Sequence, residues 1–207
     1  MRIEDNFYEG GTVEAKYPKL EVFKFPENMT TLTHIGDSAF FHCTNLRSIN
    51  LPDSIVSIGD NALSTTTQMM KYTMTKLPEN LTRIGEKAFQ KSLISLTSLP
   101  KSLTSIGYRA FNDCPNVQII EFGGDSNWAV PSKLTTIGKE AFRNAGNGIV
   151  GDTIIIRQSV TTIEDTPFTN YGGSDNRITV YYTHLTGFKY TAADLGVADV
   201  QPLTFEQ

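Results

Sequence analysis

Apolar side chains along this chain fall at fixed offsets around a recurring Ile-Gly pair. The stretch LTHIGDSAF surrounds Ile35, and IVSIGDNAL, LTRIGEKAF, LTSIGYRAF and LTTIGKEAF surround Ile58, Ile84, Ile106 and Ile137; a degenerate sixth, VTTIEDTPF, surrounds Ile163. These isoleucines lie 23, 26, 22, 31 and 26 residues apart, a period that belongs to stacked supersecondary units. In the second unit Leu46, Ile49 and Leu51 lead to Pro52, and Ile55 and Ile58 follow. A proline six residues before the isoleucine recurs as Pro52, Pro78, Pro100 and Pro131. Having no N–H to donate, it stops a strand and marks a corner. The residues before the corner, Ser48 to Leu51, alternate polar and apolar as a half-buried strand does, and those after it read as a second short strand. In the signature itself the glycine permits a turn that a side chain would obstruct, and the Ala and Phe read as a single helical turn facing inward. Phe40, Phe89, Phe111, Phe142 and Phe168 are then expected to stack along one axis.

A unit of this size cannot bury its own apolar edge, whereas stacked units share one core, so the repetition predicts a solenoid. The register resembles the BspA-like leucine-rich repeat family, whose units run N/C-x-x-L-x-x-I-x-L-P-x-x-L-x-x-I-G-x-x-A-F. The resemblance covers about residues 20 to 168, and five of the six units keep Ile-Gly; the departures are Leu63 in place of Phe, and Glu164 and Pro167 in place of Gly and Ala. It implies a right-handed leucine-rich-repeat coil, with a parallel β-sheet on one face and short strands or single helical turns on the other. Residues 1–19 and 169–207 lack the signature and are expected to form an N-terminal cap and a C-terminal strand and cap. The C-terminal segment is long for a lid, which leaves docking to a partner as the alternative. Family members are surface-exposed binding or adhesion modules of bacteria and some protists, and the resemblance names no ligand.

Composition adds exclusions. The 207 residues are 39% hydrophobic and 19% charged, with a formal net charge of −4 and no basic stripe to follow a phosphate backbone, so nucleic acid is not an expected partner. No apolar run is long enough to cross a bilayer, and the first residues do not have the form of a secretory signal. Cys43 and Cys114 each stand three residues after the signature Phe of the first and fourth units. Three strand spacings of roughly 4.8 Å put them about 14 Å apart, outside the ~7 Å Cα limit of a disulfide, so both read as buried thiols.

Sharper motifs do not hold. GNGIVG at 146–151 matches a dinucleotide fingerprint, but it precedes a strand-like run instead of opening a helix. His34, His42 and His184 are scattered, with no second ligand at metal spacing. No nucleophile motif occurs, so neither enzymatic activity, nor a cofactor, nor a metal is expected. Asn28-Met29-Thr30 and Asn80-Leu81-Thr82 are formal glycosylation sequons, which a Thr-rich repeat generates readily.

Function therefore has to lie on the surface. Alignment on the proline corner predicts outward rows of Val22 and Lys24, Ser48 and Asn50, Met74 and Lys76, Leu96 and Ser98, and Ile119 and Glu121. The insertion GGDSNWAV at 123–130 carries the single Trp. Trp128 is either a contact residue, with Asp125 and Asn127 as polar neighbours, or a cover for its own coil. The expected partner site combines these three with the apolar members of the rows, Met74, Leu96 and Ile119. The expected function is a non-enzymatic binding module for adhesion or for recognition of a protein or surface glycan at a cell or virion surface. The alternative is a structural spacer held in a larger assembly through its caps.

Overall fold

The computed structural model describes residues 2–3, 19–26, 28–66, 74–123, 132–147, 153–173, 177–183 and 188–202. In chain order its elements are β1 (Arg2–Ile3), β2 (Val22–Lys24), β3 (His34–Ile35), β4 (Ser48–Asn50), β5 (Ser57–Ile58), β6 (Arg83–Ile84) and β7 (Ser105–Ile106). There follow β8 (Glu121–Phe122), β9 (Thr136–Ile137), β10 (Thr153–Ile156), β11 (Thr162–Ile163), β12 (Thr179–Tyr182), α1 (Ala192–Leu195) and β13 (Asp199–Pro202).

The signature isoleucine organises the longest sheet. Each isoleucine and the residue before it form a two-residue strand, and these strands stack in parallel in the order β1-β3-β5-β6-β7-β9-β11. Register is set isoleucine on isoleucine, from Ile35↔Ile58 through Ile84 and Ile106 to Ile137↔Ile163. Since a side chain on a strand faces one side only, an unbroken isoleucine column fixes every neighbour in the strand. A second parallel column forms from the residues before the corner, and this one is interrupted. It consists of β2–β4 at one end, β8–β10–β12–β13 at the other, and the single bridge Leu96↔Val117 between them.

The third side of each coil is made by the signature turn. Here the expected helical turn takes another form. Residues at two fixed positions per coil hold left-handed backbone, for example Lys87 (φ 52°) and Lys91 (φ 58°), then Arg109 (φ 51°) and Asp113 (φ 57°). The N–H groups consequently alternate in direction. Those of Lys87, Phe89 and Lys91 donate to Tyr108, Ala110 and Asn112 in the next coil at 2.7, 2.9 and 2.9 Å, while those of Gln90 and Ser92 donate three residues back. The same set recurs from the coil of Phe40 to that of Phe142, so three rows of bonds, all pointing toward the C-terminus, tie this side together.

The signature glycine has a different reason from the expected one. Positive φ falls not on it but two residues later. At Gly107 an added Cβ would stand 2.7 Å from the carbonyl carbon of Gly85 and 2.8 Å from the Glu86 nitrogen, so the glycines exist because successive coils touch there.

The core is continuous along the axis. Phe89, Phe111, Phe142 and Phe168 are fully buried and stacked, with centroids 5.4, 5.2 and 5.7 Å apart and planes within 17°. Leu63 breaks the series, so Phe40 packs edge-on against Phe23 instead. Cys43 and Cys114 are free and buried, and the Cys114 thiol donates to the Phe89 carbonyl at 2.9 Å. Burial raises their pKa values, to about 11 and about 12 respectively. At the C-terminal end α1, capped by Thr191 and Asp194 and stopped by Gly196 in left-handed conformation, covers the last coil.

Candidate functional site

Met74, Leu96 and Ile119 do not form an outward row. All three are buried, at 4%, 0% and 0% exposure. The corner misplaces Met74 and Leu96 because its distance from the inward residue varies: three residues separate Ile49 from Pro52, but four separate Met74 from Pro78 and Leu96 from Pro100, while Ile119 has no such corner to be aligned on. One extra residue turns an alternating strand over. Of their row partners, Lys76 and Ser98 are exposed and Glu121 half-buried. Trp128, Asp125 and Asn127 lie outside the described residues, as does His184.

Where the second column is interrupted, a groove of about 560 Å³ opens across three coils. Its origin is local. The third and fourth coils turn at Leu77-Pro78 and Leu99-Pro100, whereas the fifth has no proline there and runs on through Ile120, Glu121 and Phe122 to join β10. Gln118 N–H donates to the Leu96 carbonyl at 2.7 Å, and Lys133 N–H donates to the Lys101 carbonyl at 3.2 Å. Among the described residues no backbone bond joins the two coils between these points. The backbone of Ile119 is drawn inward instead: the fully buried Tyr171 hydroxyl accepts from its N–H at 2.7 Å and donates to its carbonyl at 2.8 Å. Burial pushes the Tyr171 phenol well above its usual range, so it stays a donor.

The groove has an apolar floor of Leu77, Leu99 and Leu134, with Ile120 at its wall 46% exposed. Thr97, Ser98, Lys76 and Glu79 supply hydroxyls and both signs of charge. Glu121 is tied to Arg157 by a half-buried ion pair. Gly123 and Ser132, which line the groove, are the described residues flanking the insertion that carries Trp128. Ile120 and Thr97 escaped sequence reasoning; the available signal was the missing proline after Phe122.

Other polar clusters are structural. Glu140 lies between Arg109 and Arg143 on the turn side, and its hydrogen bond with Arg109 holds its carboxyl below the usual carboxylate range. His34 bonds its neighbour Thr33 at 2.7 Å, and the His42 ring packs edge-on against Phe41. Among the described residues no group of three His, Cys, Asp or Glu side chains is placed to hold a metal, and no helix is long and apolar enough to cross a membrane.

A family comparison matches the BspA type leucine rich repeat region in six copies, over residues 15–145 and 125–180. The chain belongs to the BspA-type leucine-rich repeat family. It is thus a repeat scaffold of the kind that mediates protein interactions and is typically not an enzyme. Two solved structures resemble it. A leucine-rich repeat protein from Bacteroides ovatus ATCC 8483 is 20% identical, with 90% of this chain and 61% of that one covered and a TM-score of 0.41. The T. pallidum leucine rich repeat protein TpLRR is also 20% identical, with 89% and 71% covered and a TM-score of 0.42. The chain spans 61% of the length of the Bacteroides ovatus protein. No curated protein matches the chain in sequence.

Proposed function

We propose that this chain is a non-enzymatic recognition module, acting in adhesion or protein recognition at a cell or virion surface. Its contact surface is the groove together with the insertion that carries Asp125, Asn127 and Trp128. Residues 20–168 form the repeat body in this reading, with 1–19 and 169–207 as its caps. One observation carries the proposal: where the second column is interrupted across the third to fifth coils, a groove opens with a half-exposed isoleucine at its wall. A partner that covers Ile120 removes apolar area from water, while Thr97, Ser98 and Lys76 offer hydrogen bonds at the rim. A protein surface provides both kinds of group, and a surface glycan provides hydroxyls for the rim and sugar faces for the floor.

The test compares capture of the natural partner by the wild-type chain and by Ile120→Asp, Ser98→Arg and Trp128→Ala. The expected result is a loss of at least about tenfold in affinity, the scale of one central contact residue, with the melting temperature unchanged. Thr162→Asp, on the exposed face of the isoleucine sheet, serves as the control and is expected to bind normally. Undiminished binding by the groove variants, or loss only in Thr162→Asp, would move the contact to the other sheet.

A further inference from the structure

The three sides of the solenoid end differently at the C-terminus. The isoleucine sheet ends on β11, where the Ile163 N–H is taken by the Tyr190 hydroxyl at 2.9 Å. On the turn side, Thr166 and Phe168 N–H groups donate to the Asp194 and Leu195 carbonyls of α1 at 2.8 and 3.1 Å. The second column ends on β13, which pairs in parallel with β12 from Thr179↔Asp199 to Tyr182↔Pro202.

An exposed edge strand normally presents a row of free N–H groups and so invites another strand. In β13 the Asp199 N–H faces inward to the Ile178 carbonyl, so strand alternation turns the backbone nitrogens of Val200 and Pro202 outward. Neither has a free donor. The Asp199 carboxylate folds back, accepting the Val200 N–H on Oδ1 at 2.8 Å. Its Oδ2 accepts the Gln201 side-chain amide at 2.8 Å, which fixes the carboxylate in that position. Proline has no N–H to offer.

The opposite end of the same column is built the other way. In β2 the Phe25 N–H turns inward to Asn50 Oδ1, and the alternation leaves the N–H groups of Val22 and Lys24 outward. Val22 is 50% exposed, the most exposed large apolar side chain described. Among the described residues neither N–H finds an acceptor, and the column thus has one open edge and one blocked edge.

We infer that Asp199 and Pro202 keep copies of this chain from joining end to end. With β13 unblocked, its outer edge would meet β2 of the next copy, a head-to-tail contact that does not close on itself and therefore grows into fibres. The partner excluded is a second copy of this chain. Association by strand addition at the C-terminal end is refused by the carboxylate and the proline, and not by bulk or net charge.

The experiment uses the full chain. Sedimentation velocity over a range of concentrations is expected to show the wild type as a species that does not grow, and Asp199→Ala/Pro202→Val as one that lengthens with concentration. Adding Lys24→Pro, which removes an outward donor from β2, is expected to abolish that growth. Backbone hydrogen exchange gives an independent reading: in dilute Asp199→Ala the Val200 amide is expected to exchange roughly tenfold faster than in the wild type. Asp199→Asn retains an acceptor and is expected to exchange slowly. The inference is overturned if the double variant does not grow, if growth survives Lys24→Pro, if the wild type itself associates with protection of Val200, or if the Val200 amide is indifferent to Asp199→Ala.

Discussion

Phe111 touches Phe89 on one side and Phe142 on the other, with centroids 5.4 and 5.2 Å away, and none of the three has any exposed surface. A side chain in that position is held from both neighbouring coils, which cannot move together to fill its place without breaking the bonds that tie the turns. Phe111→Ala is therefore expected to cost about 3–5 kcal/mol, transfer and cavity together. Urea unfolding measures it, and a change below about 1 kcal/mol would contradict the packing. The two thiols predict a pH effect of definite sign. Burial lifts Cys43 to about 11 and Cys114 to about 12 from the ordinary 9.0, so the folded chain holds these protons more tightly than the unfolded one. Their contribution is intact below pH 9 and is lost as pH rises through 11 and 12, at about 1.4 kcal/mol per pH unit for each thiol. A Cys43→Ala/Cys114→Ala variant should lose stability less steeply between pH 9 and 11; equal slopes would show that the thiols do not titrate on unfolding. Both the phenylalanines and the cysteines were legible in the sequence, because each sits at a constant offset from Ile-Gly. The link from Tyr171 to Ile119 was not, since 52 residues separate them and no periodicity relates them.

A coil is closed by three kinds of contact, and the sequence shows them unequally. The isoleucine strands could be read because x-Ile recurs and Ile tolerates nothing but the inner face. The turn side could be placed but not described. Left-handed backbone at Ser38, Lys87, Arg109 and Glu140 is carried by residue types that seldom adopt it. It is imposed by the bonds each N–H makes to the next coil, as from Arg109 to Lys139 at 3.0 Å, rather than by local preference. The pre-proline strands misled for the opposite reason: an alternation rule was extrapolated across coils whose count to the corner differs by one or, at Ile119, that have no such corner, and Met74, Leu96 and Ile119 came out on the wrong face. The groove appears only once the interruption of the second column is known. Contact between coils makes the glycine column testable. In Gly107→Ala the new methyl meets backbone atoms of Gly85 and Glu86, which have no rotamer to change, and the Gly107 N–H bond to the Ile84 carbonyl at 2.9 Å is strained with it. Destabilisation of about 1–3 kcal/mol or more is expected by the logic of overpacking, whereas Ser105→Ala, on the outer face of the adjacent strand, is expected to stay within about 0.5 kcal/mol. If the two variants melt together, the coils do not touch at the glycine.

At the scale of the molecule the three rows of turn bonds described above run one way, each coil donating to the next, so an uncovered C-terminal end would present N–H groups with no acceptor. The structure meets this with carbonyls from α1, which receive Thr166 and Phe168, and with Leu195, which is fully buried. Phe168, the last ring of the stack, is sealed by the same segment. A repeat array is held by nearest neighbours only, so the loss of this cover is not shared out along the chain; it falls on the last coil. Ending the chain at residue 187 should leave three donors, the Ile163, Thr166 and Phe168 N–H groups, without their partners at ~1–3 kcal/mol each and re-expose part of Phe168. Hydrogen exchange would locate the effect. The amides of Thr166, Phe168 and Ile163 are expected to lose protection first and by the largest factor, those of the Phe142 coil less, and those of Phe89 hardly at all, with the calorimetric transition broadening as the last coil frays ahead of the rest. Uniform loss across the array would mean that the solenoid unfolds as one cooperative block and that its C-terminal cover stabilises all coils alike; no loss at Thr166 and Phe168 would mean that the aligned bonds end without needing an acceptor.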